Sequence, residues 1–70
     1  MTEAEAYKLV QSTQAAVEVA FEDMASVLDA HLWTAVFRPS YRRLRRTYNE
    51  ACAANLAACA AWARIRRESE

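Results

Sequence analysis

The sequence has no glycine, one proline, one histidine and two cysteines among 70 residues. Each shortage closes a route. Without glycine there is no glycine-rich phosphate loop, and almost nothing interrupts a helix. Two cysteines are too few for a disulfide scaffold, and no obvious signal peptide accompanies them. With the lone His31 they make a poor zinc site, because structural zinc takes four ligands in close local pairs. No uncharged stretch approaches the roughly 18 apolar residues of a membrane span, so no membrane anchor is expected. Paired carboxylates and an activated nucleophile are also missing, which argues against an enzyme and against any cofactor.

What remains is rich in alanine, with sixteen copies, and in charge that is unevenly placed. Alanine favours helix more than any other residue, and the composition reads as all-α. Net charge is zero, yet residues 1–37 hold one lysine against six acids and residues 38–70 hold eight arginines against three. The divide falls at Pro39. Such asymmetry lets an acidic segment lie against a basic one, within one chain or across a dimer.

Thr2-Glu3-Ala4-Glu5 fits a capping box, so the first helix is expected to begin at Thr2 and run to about residue 37. Its apolar seam is expected through Tyr7, Val10, Gln14, Val17, Phe21, Met24, Leu28, His31 and Ala35, at alternating steps of three and four. Ala20 and Val27 widen that stripe. Pro39 predicts a turn at about residues 38–40, and a second helix over about 40–67. Its seam runs through Tyr41, Leu44, Tyr48, Ala51, Asn55, Ala58, Trp62 and Ile65. Helices of roughly 50 and 40 Å joined by a short turn fold into an antiparallel hairpin, one domain over residues 1–70. Seventy residues give a small core, seldom worth more than about 3–5 kcal/mol, so two hairpins are expected to pair as a four-helix bundle. Val17, Phe21, Met24, Leu28, His31, Asn55 and Trp62 are the candidate core or dimer residues. Gln14, His31 or Asn55 is suited to fixing register.

The segment Phe37–Tyr48 concentrates five arginines. Tyr41, Leu44 and Tyr48 fall on the seam, so their interleaving with arginine is core spacing rather than base stacking. Arg38, Arg42, Arg43, Arg45 and Arg46 then form a cationic collar near the turn. A pair such as Arg46 with Glu50 is worth only about 0.3–0.5 kcal/mol when exposed. Arginine at a helix N-terminus also opposes the macrodipole, so the collar invites an anion or carboxylate from outside. Trp33 and Phe37 stand off the seam near the same end, and with Arg38 and Arg42 they compose a candidate recognition patch.

These features predict a small non-enzymatic regulator or inhibitor that binds a larger protein through Trp33, Phe37, Arg38, Arg42, Arg43, Arg45 and Arg46. Size and composition suit a phage-encoded protein acting on a host factor in the cytoplasm, a setting that includes anti-CRISPR inhibitors. The alternative is a dimeric RNA- or DNA-binding regulator that uses the Arg38–Arg46 collar.

Overall fold

The computed structural model describes residues 1–31 and 39–69, without the side chains of 28–31. Two helices fill them, α1 over Glu3–His31 and α2 over Pro39–Ser69, and they pack on each other as a hairpin. Trp33, Ala35, Phe37 and Arg38 lie outside the described residues, as do the side chains of Leu28 and His31.

The start of α1 is a reciprocal cap. The Glu5 backbone N–H donates to Thr2 Oγ1 at 3.1 Å, and the Thr2 N–H reaches back to Glu5 Oε1 at 3.4 Å. Two donors that a helix end leaves without partners are thereby satisfied. Pro39 opens α2, where its fixed φ suits a first turn and its missing N–H costs no hydrogen bond. Inside the helices, hydroxyls turn back on carbonyls of the preceding turn: Thr13 to Leu9 at 2.8 Å, Thr47 to Arg43 at 3.1 Å and Ser69 to Ile65 at 2.9 Å.

The inward face of α2 is the seam its spacing predicts: Tyr41 and Ala58 are buried, and Leu44, Tyr48, Ala51, Asn55, Trp62 and Ile65 are half-buried. On α1 the inward line differs from the expected one. It passes through Ala6, Val10, Thr13, Val17, Ala20, Met24 and Val27, whereas Tyr7, Gln14 and Phe21 are exposed. The reason is size. Interhelical distance is set by the side chains at the contact, and alanine at positions 6 and 20 admits an approach that aromatic rings block. The rings move one position to the flank instead. Tyr7 lies against Trp62 with centroids 5.6 Å apart, and Phe21 against Tyr48 at 6.0 Å. Thr13 is tolerated on the inward line because its hydroxyl is fully occupied. It accepts from Asn55 Nδ2 at 3.0 Å, and that amide also donates to the Val10 carbonyl at 3.3 Å.

These contacts fix one register. Glu3 with Arg66, Tyr7 with Trp62 and Phe21 with Tyr48 each join residues whose numbers add to the same total, so the helices run antiparallel without slippage along their shared length. The molecule is thin, with extents of 51 × 14 × 14 Å and a radius of gyration of 15.6 Å, against about 11 Å for a compact chain of this length. Its buried core among the described residues is Ala6, Ala20, Tyr41 and Ala58. The accessible surface of 5428 Å² exceeds by about 1,000 Å² what a compact monomer of this mass presents.

Candidate functional site

Arg42, Arg43, Arg45 and Arg46 occupy the first two turns of α2, and all four are exposed. The interleaved residues separate from them as helical geometry requires: Tyr41 turns inward and is buried, and Leu44 and Tyr48 are half-buried against α1. Tyrosine and arginine therefore serve different faces. No base-stacking platform is formed by Tyr41.

An open groove of about 450 Å³ runs along the outer side of this helix start, lined by Arg42, Arg45, Arg46, Asn49, Glu50 and Ala53. Its three guanidiniums stand at the positive end of the α2 macrodipole, in a helix with no acid in its first turn. Among the described residues the ion pair within 4 Å is Glu3 with Arg66, at the opposite end of the hairpin. The expected pairing of Arg46 with Glu50 is thus not made, although both line the groove. Like charges held close beside a helix N-terminus raise the local potential, and a carboxylate entering the groove lowers it.

The second cluster lies at the other end and was not anticipated from the sequence. Arg66 sits over the Trp62 ring at 5.0 Å from its centroid, Trp62 meets Tyr7, and Glu3 approaches the Arg66 Nε at 3.7 Å. A shallow hollow there is lined by Glu3, Ala4, Tyr7 and Trp62. The Glu3 and Arg66 side chains are about half exposed, so their pairing is worth roughly 0.2–1 kcal/mol and the cluster already answers its own charge. It is a weaker candidate for binding an external ion than the arginine groove. The signal that locates it is the register of the two helices, since Trp62 and Tyr7 are remote in sequence.

Along one edge of the hairpin, Tyr7, Gln14 and Phe21 of α1 run beside Tyr48, Cys52, Cys59 and Trp62 of α2. Both cysteines are free and half-buried. Cys52 acts on its neighbour: a hydrogen bond to its side chain raises the Tyr48 pKa above the ordinary 10.0, with the charge of the sulfur and burial pushing the same way. Among the described residues, no group of three or more His, Cys, Asp or Glu is placed to hold a metal ion, and no helix is long and apolar enough to cross a membrane. Of the sequence-derived candidates, the structure gathers Arg42, Arg45 and Arg46 at one groove. Arg43 is exposed on the same turns without lining it. Val17, Met24, Asn55 and Trp62 are half-buried between the helices, while Phe21 is 53% exposed. Trp33, Phe37 and Arg38 are outside the described residues.

Comparison with protein-family models, with curated proteins and with solved structures finds no match.

Proposed function

We propose that this chain is a small non-enzymatic binding protein, a regulator or inhibitor that acts as a pair of hairpins and takes an acidic segment of a larger protein into the arginine groove at the start of α2. The observation that carries this reading is the groove itself. Arg42, Arg45 and Arg46 line it, and no carboxylate among the described residues comes within 4 Å of any of them. Arginine suits such a site because its planar fork takes a carboxylate through two parallel hydrogen bonds.

Protein carboxylates are favoured over a nucleic-acid backbone for two reasons. A nucleic-acid grip extends over several phosphates with a strong basic excess, whereas this chain has zero net charge and Glu50 interrupts the groove. Glu18, Glu22 and Asp23 of α1 are also exposed and repel a polyanion approaching along the hairpin.

A fluorescent glutamate-rich peptide and a single-stranded RNA of equal length, titrated against the full chain by anisotropy, test the reading. The peptide is expected to bind and to lose at least tenfold in affinity with Arg42→Glu and Arg46→Glu, with helicity unchanged. RNA binding that outcompetes the peptide and falls steeply with salt would transfer the groove to nucleic acid. Binding of neither probe refutes the proposal.

A further inference from the structure

A two-helix hairpin leaves both of its long edges uncovered, and one of them carries the exposed aromatic rings of α1. Tyr7 is 47% and Phe21 53% exposed, although each already rests one side on an aromatic ring of α2. Gln14 lies between them on the same face of α1, since residues seven apart superimpose on a helix packed at coiled-coil spacing. Opposite them, Tyr48, Cys52, Asn55, Cys59 and Trp62 follow at steps of four and three and are all half-buried. From Tyr7 to Phe21 and from Tyr48 to Trp62, the charged side chain that borders this edge is Glu18, one turn from both Gln14 and Phe21. Further charges stand at its ends: Arg45 at one, and Glu3 with Arg66 at the other.

We infer that a second copy of this chain docks on this edge, antiparallel, about a twofold axis at the level of Gln14 and Asn55, to give a four-helix bundle. The inference rests on the pairing of hairpins in the proposed function and specifies its face and direction. Surface area selects the occupant. A self-associating protein needs about 800 Å² per partner, and the excess of about 1,000 Å² over a compact monomer is of that size. The distribution of charge selects the direction. A parallel arrangement sets two collars of Arg42, Arg43, Arg45 and Arg46 side by side, at a cost in like-charge repulsion. The antiparallel one separates them, and the register then works in its favour. Glu3 is level with Arg66, and Phe21 with Tyr48, so the twofold axis carries Tyr7 of one copy to Phe21 of the other. The same operation brings Glu3 of one copy to the level of Arg45 of the other. Gln14 meets its own copy on the axis, where two primary amides can exchange hydrogen bonds and hold the register.

This geometry places Cys52 and Cys59 in a particular relation. They lie on either side of the axis at nearly equal distances from Asn55, so α2 packed on its antiparallel copy sets Cys52 of one chain opposite Cys59 of the other. Within one chain the two are about 10 Å apart along the helix and cannot bridge. The parallel alternative places α1 over each cysteine instead.

The test uses the full reduced chain at tens of micromolar. Light scattering is expected to give twice the 7.9 kDa chain mass. Brief treatment with diamide, which accepts two electrons and two protons for each pair of thiols joined, is expected to yield a covalent dimer on a non-reducing gel. Cys52→Ser and Cys59→Ser should each suppress that dimer at least tenfold, and mixing the two single variants should restore one bridge. Phe21→Asp should give the monomer mass with helicity retained, and if it unfolds, the mixing experiment still decides. A monomeric wild-type chain overturns the pairing of hairpins altogether. A dimeric mass without diamide trapping, or wild-type trapping retained by either single-cysteine variant alone, overturns the antiparallel face while leaving pairing intact.

Discussion

Removing the Asn55 amide tests whether a polar contact across the seam sets the hairpin's register. In Asn55→Ala the Nδ2 bonds to Thr13 Oγ1 at 3.0 Å and to the Val10 carbonyl at 3.3 Å are lost. A net contribution of about 0.5–1.5 kcal/mol for each such bond sets the upper range, with the longer one at its lower end. Two features reduce the loss. Neither acceptor is left orphaned, because the Thr13 hydroxyl still donates to the Leu9 carbonyl at 2.8 Å and the Val10 carbonyl keeps the backbone N–H of Gln14 one helical turn on. Alanine also improves helix propensity over asparagine by about 0.5 kcal/mol. The expected net destabilisation is therefore about 1 kcal/mol. A double-mutant cycle with Thr13→Val isolates the pair: once Asn55 is gone, Thr13→Val has no interhelical bond to break, so the coupling should be about 1 kcal/mol. Urea denaturation followed by circular dichroism measures it, with all four proteins at one concentration because self-association shifts apparent stability. Additivity within about 0.3 kcal/mol, or a neutral Asn55→Ala, refutes the assignment of register to this contact.

Two further perturbations probe the helix start and the exposed edge. Thr2→Ala removes the hydroxyl that accepts from the Glu5 N–H and is expected to cost about 0.5–2 kcal/mol by the same urea assay, with serine at position 2 restoring most of it. For Tyr48 the sign follows from its raised pKa: the folded chain holds the phenol proton more tightly than the unfolded one, so this stability is fully present below pH 10.0 and is lost as pH climbs through the higher folded value. Thermal unfolding from pH 8 upward should show that decline in the wild type and a shallower one in Tyr48→Phe and in Cys52→Ser; identical slopes in all three would contradict the Cys52 contact.

The two helices were unequally legible in the sequence. In α2 the large apolar residues apart from Leu56, which is 73% exposed, are also the inward ones, so hydrophobic spacing identifies Tyr41, Leu44, Tyr48, Trp62 and Ile65. In α1 hydrophobicity and size point different ways. Tyr7 and Phe21 attract a pattern reader because they are aromatic, but Ala6 and Ala20 occupy the contact line because they are small. The capping box was readable because its two partners are three residues apart. Register was not: a seam that repeats every seven residues looks the same after a shift of one heptad. The choice is made by particular pairs, Asn55 with Thr13 and Arg66 with Glu3, that no local window contains. The cluster of Trp62, Tyr7 and Arg66 was hidden for the same reason. The arginine collar was visible as composition, and the structure added that Arg42, Arg45 and Arg46 line one groove without the Glu50 partner that helical spacing offers Arg46.

The way the helices approach also connects the fold to the proposed binding. Alanine at the contact line brings the backbones together but buries little area, leaving aromatic surface along an edge and a core too small to stand comfortably alone. In the proposed pairing, a second copy on that edge would stabilise the fold and duplicate the groove. With the twofold axis at the level of Asn55, each groove, centred near Arg46, lies about 13 Å along the bundle from the axis, so the two are roughly 27 Å apart lengthwise. A partner or partner assembly with two acidic segments at that spacing gains avidity from the second contact without any new chemistry, whereas one with a single segment does not. In this arrangement selectivity resides in the spacing as much as in the arginines, and the residues that set the spacing, Phe21, Gln14 and Asn55, never touch the bound segment.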